Sequence, residues 1–224
     1  MASYFNLILD TTAPSGLTLA INGGAAVTTN RTITLSIGVT DADTTGYQML
    51  IWGTDGVATE AAASWESYAT TKSVTLPSGD GTKIVYIKVR DAIGNAVATA
   101  ASATIELDTT VPVVTISYGP STSTISAAGT ITETTFKFTV SETFNVYKVM
   151  VVNNTSALHD DEGSIQIGTT NGSTNMSGNA GDYPANTEIT CTIKGADLAA
   201  ASAGDGTKII KVFAQDTNGL WSVA

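Results

Sequence analysis

The chain has 224 residues, 42% of them hydrophobic and only 13% charged, with a formal charge of −10 shared equally by its two halves. That acidity repels phosphate backbones and argues against a nucleic-acid partner. No apolar run nears the roughly 20 residues of a membrane helix, and the lone cysteine, Cys191, has no internal disulfide partner. Few charges with abundant Thr, Val and Gly favour strands joined by tight turns, and the best helical stretch is the short "GADLAAAS" at 195–202.

Residues 1–9, "MASYFNLIL", lack the basic start and cleavage site of a secretion signal, so synthesis in the cytoplasm is expected. They read as a separate N-terminal strand with Tyr4, Phe5, Leu7, Ile8 and Leu9 as candidate interaction residues. "LDTTAP" follows at Leu9 and returns as "LDTTVP" at Leu107. Its proline restricts itself and the preceding residue to extended shapes, as suits a linker between modules. Residues 10–108 form the first predicted domain. Its strands are "LTLAI" from Leu17, the alternating Ile33, Leu35, Ile37 and Val39, "YQMLIW" from Tyr47, "SVTL" from Ser73, Val85, Ile87 and Val89, and "SATIEL" from Ser102.

Residues 109–224 form the second, with Phe136, Phe138 and Val140, then Tyr147, Val149 and Val151, then Ile189, Cys191 and Ile193 on apolar phases. "GDGTKIVYIKVRDAIGN" at Gly79 is echoed 125 residues later by "GDGTKIIKVFAQDTNGL" at Gly204, against 98 for the linker copies. The second repeat therefore holds about 27 additional residues, mostly in a polar insertion at about 153–186 that is expected to lie against a neighbouring protein. About seven short strands per 100 residues predict two tandem immunoglobulin-like β-sandwich domains in an all-β chain.

The combination of "GDGTK", "VRDAIGN" and "IELDTTVP" resembles a family of bacterial and bacteriophage Ig-like repeats. The match covers nearly all of the first repeat and both ends of the second, where Leu220 stands in place of the usual Asn. The resemblance implies a module of bacterial surface proteins or of phage capsid, tail and fibre proteins. Function must still be argued from a site.

Candidate sites are sparse. Asp41, Asp43, Asp80, Asp91 and Asp108 would meet near one end of the first sandwich to hold calcium, or each would cap its own turn. Asp41, Asp43, Asp91 and Asp108 are the calcium candidates, although "DADTTG" departs from the calcium-loop spacing at Thr45. His159, beside Asp160, Asp161 and Glu162, could be half of a metal site or an acid–base pair, but with no second His and no thiol nearby it reads as a solvated loop residue. Cys191 reads as a small core hydrophobe. "GDGTK" precedes a strand rather than a helix, so it reads as a hairpin turn and not a phosphate loop. Trp52 is expected in the core. Trp65 is a candidate for protein contact or for stacking on a host glycan, and His159 and Tyr183 are further candidate contacts.

The ends of the repeats do not match. The strand "SATIEL" follows Asp91, whereas only eight residues follow its counterpart Asp216, none resembling a closing strand. Residues 3–9 align with that closing strand, placing Phe5, Leu7 and Leu9 on Ala103, Ile105 and Leu107. The expectation is a non-enzymatic virion protein without catalytic residues or a resident cofactor. It would contact other virion proteins, or copies of itself, through the N-terminal strand. A module of a bacterial surface adhesin and a carbohydrate-binding module are the alternatives.

Overall fold

In the computed structural model, which describes residues 5–161, 165–167 and 181–223, the chain divides into two units, Met1–Thr109 and Thr110–Ala224. The first is built from β1 (Thr18–Ile21), β2 (Val27–Thr28), β3 (Thr32–Gly38), β4 (Gln48–Trp52), β5 (Glu66–Ser67), β6 (Thr71–Thr75), β7 (Gly81–Arg90) and β8 (Ala101–Leu107). One sheet has the order β1-β3-β6 and the other β2-β8-β7-β4-β5, with β2 parallel to β8 and the other pairs antiparallel. Alternation explains the layering. Ile33, Leu35 and Ile37 on β3 and Val85, Ile87 and Val89 on β7 are buried, and they pack with Met49, Ile51, Ile105 and Leu107 between the sheets. A one-residue slip would turn each row to solvent, so the pattern fixes the register.

The second unit holds β9 (Val114–Tyr118), β10 (Glu133–Val140), β11 (Phe144–Val152), β12 (Ile165–Gln166), β13 (Ile189–Lys194), the helix α1 (Gly195–Ala201) and β14 (Ile209–Asp216). Its sheets run β13-β10-β9 and β12-β11-β14. Phe138 centres the core, with its ring 5.3 Å from Tyr147 and 6.4 Å from both Phe136 and Phe144, and Cys191 is wholly buried beside them. Both units are thus all-β sandwiches of immunoglobulin-like layout.

Three expectations change. "GDGTK" is no hairpin: β6 and β7 lie in different sheets, so this turn carries the chain across the sandwich. Gly79 and Gly81, at φ +80° and +104°, supply the left-handed backbone it needs. Trp52 is buried but lies outside the core cluster. Because alternation along β4 puts Met49 and Ile51 inward, Trp52 falls on the sheet's other face, where it stacks on Tyr86 at 5.4 Å. The insertion is also not simply a polar loop. Ile165 and Gln166 pair with Val151 and Met150, and Ile167 is buried, so residues 165–167 belong to the sheet.

Candidate protein-interaction site

The two halves of the repeat end alike in their turns. Asp91 Oδ1 accepts the backbone N–H groups of Ile93, Gly94 and Asn95, and Oδ2 accepts from Asn95 Nδ2 at 2.8 Å. Burial alone would raise the pKa of Asp91, but these hydrogen bonds outweigh it and hold the carboxyl below its ordinary value. In the second unit Asp216 Oδ1 accepts from Asn218 and Leu220 N–H. Leu220 has no amide to offer, and among the described residues Asp216 Oδ2 is buried without a hydrogen-bond partner.

Beyond the turn the units diverge. In the first, β8 pairs along β7 from Gly81↔Leu107 to Ile87↔Ala101 and meets β2 on its other side. β8 thereby seals the core, and Val85 and Ile87 are fully buried. In the second, β14 has a single paired neighbour strand, β11, among the described residues. Ile210 and Val212, the counterparts of Val85 and Ile87, are only half-buried. They line an open groove of about 870 Å³ with Phe136, Ile193, Leu198 and Lys208. Its wall also includes the segment 122–127. Gly195 brings α1 close against that wall, since a Cβ there would lie 2.2 Å from the Ser126 carbonyl oxygen. The end of this edge is covered, because Gln215 bridges to Trp221 and Ser222 N–H donates to the Ala214 carbonyl. From Ile209 to Val212 no strand pairs on that side among the described residues, and an apolar slot beside such an edge is a template for another strand.

Sequence reasoning did not name the groove residues. The 125-residue repeat offset maps Val85 and Ile87 onto Ile210 and Val212, and that was the available signal.

The N-terminal candidates Phe5, Leu7, Ile8 and Leu9 are 85–91% exposed and belong to no strand, while Tyr4 lies outside the described residues. Trp65 is half-buried with the Arg90 guanidinium 4.4 Å over its ring. His159 stacks on Trp221 at 4.1 Å, and burial lowers its pKa, so it is a packed ring rather than a solvated one. Tyr183 stacks on Phe144 at 4.9 Å and exchanges two backbone hydrogen bonds with it. These three candidate contact residues are thus engaged inside their own units.

The carboxylates do not meet at one end. Asp80 and Asp91 flank the ten-residue β7, which separates them by roughly 36 Å at about 3.3 Å per residue. Asp80 accepts from Thr109 N–H and Oγ1, and Asp108 lies beside it because Leu107 pairs with Gly81. At the other end, Asp41 accepts from Ser15 and Asp43 from Thr45 N–H. There the Tyr47 pKa is raised, first by burial and then by Asp41, Asp91, Asp43 and Asp10. Among the described residues no three His, Cys, Asp or Glu side chains group to hold a metal, so the four-residue calcium set is not assembled.

No protein-family model matches the chain, and no curated protein matches it. Among solved structures it is similar to fibronectin(III)-like modules of Clostridium thermocellum CbhA, with 13% identity, TM-score 0.43, and coverage of 92% of this chain and 90% of that one. It is also similar to a Ca2+-stabilized adhesin with which an Antarctic bacterium binds ice, with 19% identity, TM-score 0.42 and 96% of this chain covered. The tetra-tandem repeat of a large adhesion protein is a third, with 20% identity, TM-score 0.29 and 95% of this chain covered. The chain spans 48% of the length of each of these two adhesin structures. What the fold and edge define is a protein of two β-sandwich units, the second with one sheet edge open among the described residues.

Proposed function

We propose that the chain is a non-enzymatic structural protein of a bacteriophage virion, decorating the capsid or associated with the tail or fibres, and that it works through protein–protein contacts. The observation that carries the contact role is the open edge of β14 with its apolar groove. Strand addition at such an edge draws affinity from main-chain hydrogen bonds and specificity from alternate side-chain pockets. The virion assignment is supported by the resemblance carried by "GDGTK", "VRDAIGN" and "LDTTVP". A glycan role finds less support, because Arg90 covers one face of Trp65, the ring a sugar would stack on.

Immunogold electron microscopy with antibody against this chain tests the reading. Gold on purified phage particles from the source culture is the expected result. Gold on the cell envelope, with particles unlabelled, would replace it with the adhesin reading.

A further inference from the structure

We infer that residues 5–9 of one molecule add as a strand along the open edge of β14 in the second sandwich of another copy, an inference that rests on the contact role proposed above. The groove has the shape of a known occupant, because β8 fills the equivalent slot of the first unit between β7 and β2. The occupant's sequence pattern is therefore known too. Along β8, Ile105 and Leu107 are buried and Ala103 half-buried, while Ser102, Thr104 and Glu106 face out.

Aligning "LDTTAP" on "LDTTVP" places Phe5, Leu7 and Leu9 on Ala103, Ile105 and Leu107, and Asn6 and Ile8 on Thr104 and Glu106. The first unit's register, carried over by 125 residues, sets Leu9 opposite Gly206, Leu7 opposite Lys208 and Phe5 opposite Ile210. Phe5 and Leu7 then meet the half-buried row that β8 covers elsewhere. Larger than Ala103, Phe5 suits a groove floored by Phe136 and Ile193. Asp205 takes the place of Asp80, which accepts from Thr109 N–H, so it stands ready for Thr11 of the incoming chain. Donated this way, Asp10-Thr11-Thr12-Ala13-Pro14 becomes the same linker between copies that Asp108-Thr109-Thr110-Val111-Pro112 is within one. The contact is head-to-tail, so it closes as a ring or extends as a filament.

The test uses the full chain, a variant lacking residues 1–9, and the single variants Leu7→Glu and Ile8→Glu, followed by sedimentation velocity over a hundredfold range of concentration. The full chain and Ile8→Glu should self-associate, because position 8 faces out; Leu7→Glu and the truncation should remain monomeric. A synthetic peptide of residues 3–12, at about ten times its Kd, should raise the melting transition of the truncated protein's second unit by roughly 5–10 °C. Assembly by the truncated chain, equal effects of the two glutamates, or a transition unmoved by the peptide would each overturn the inference. If the strand fails while particles still carry the gold label, the virion reading stands with a different occupant. Self-association without label on particles would retire the virion reading and keep the strand.

Discussion

Leu220→Asn should make the second unit more stable, against the usual direction of an apolar-to-polar change. In the first unit the amide at this position donates to the buried carboxylate from 2.8 Å, and in the second the matching oxygen, Asp216 Oδ2, has no partner among the described residues. A hydrogen bond to a charged group contributes about 1.5–3 kcal/mol. Against it stands the burial of a half-exposed leucine, about half of the roughly 1.5–3 kcal/mol for a fully buried one. Leu220 belongs to none of the packed clusters, so little cavity cost follows. The net is about 1 kcal/mol in favour of the variant, or roughly 4–8 °C for a domain of this size. Differential scanning calorimetry reads it, with the second unit's transition marked by Trp221 fluorescence. Asn95→Leu, the reverse exchange, should lower the first transition. If Leu220→Asn melts at or below the parent temperature, the carboxylate already has its partner and the reasoning fails.

Core truncation separates the units: Phe138→Ala should cost about 3–5 kcal/mol and Ile87→Ala about 2–5, each lowering only its own calorimetric transition. His159 supplies a pH dependence. Its folded pKa is lowered, chiefly by burial, with Lys148 adding to this and Asp160 and Asp161 opposing it. Its contribution is therefore complete above its ordinary value of 6.5 and is lost as pH falls below that toward the folded value. Asp43, Asp91 and Glu188 have lowered pKa values and lose their contributions only below the ordinary carboxylate range. The second unit should thus melt lower at pH 5.5 than at pH 7.5, and His159→Gln should flatten that difference. Cys191 is buried in the core, so a thiol reagent such as DTNB should react with it only at the rate of unfolding.

The alternation of Ile33, Leu35 and Ile37, or of Phe136, Phe138 and Val140, sufficed to place the main strands, because a half-buried strand writes its burial into every second residue. Two-residue edge strands such as β2 and β5 carry no such period and were not legible. Trp52 shows another limit. Its burial was foreseeable and its alternation with Met49 and Ile51 sets its face, but the Tyr86 ring that covers it there comes from another strand. His159 and Trp221 lie 62 residues apart, and nothing local announces their stack. The open edge was legible only because the chain repeats: in the first unit β8 pairs beside β7, and among the described residues no strand takes that side of β14 in the second.

Hydrogen–deuterium exchange along β14 tests most directly that the second sandwich is open and completed from outside. The backbone amides of Ile210 and Val212, which share the outward phase of Ala214 and point away from β11, should exchange rapidly in the chain lacking residues 1–9 and become protected, by tenfold or more, in the self-associated full chain or on adding the peptide of residues 3–12. Equal, strong protection of these amides in the truncated, monomeric chain would mean that the edge is already closed, and would contradict both the contact site and its occupant.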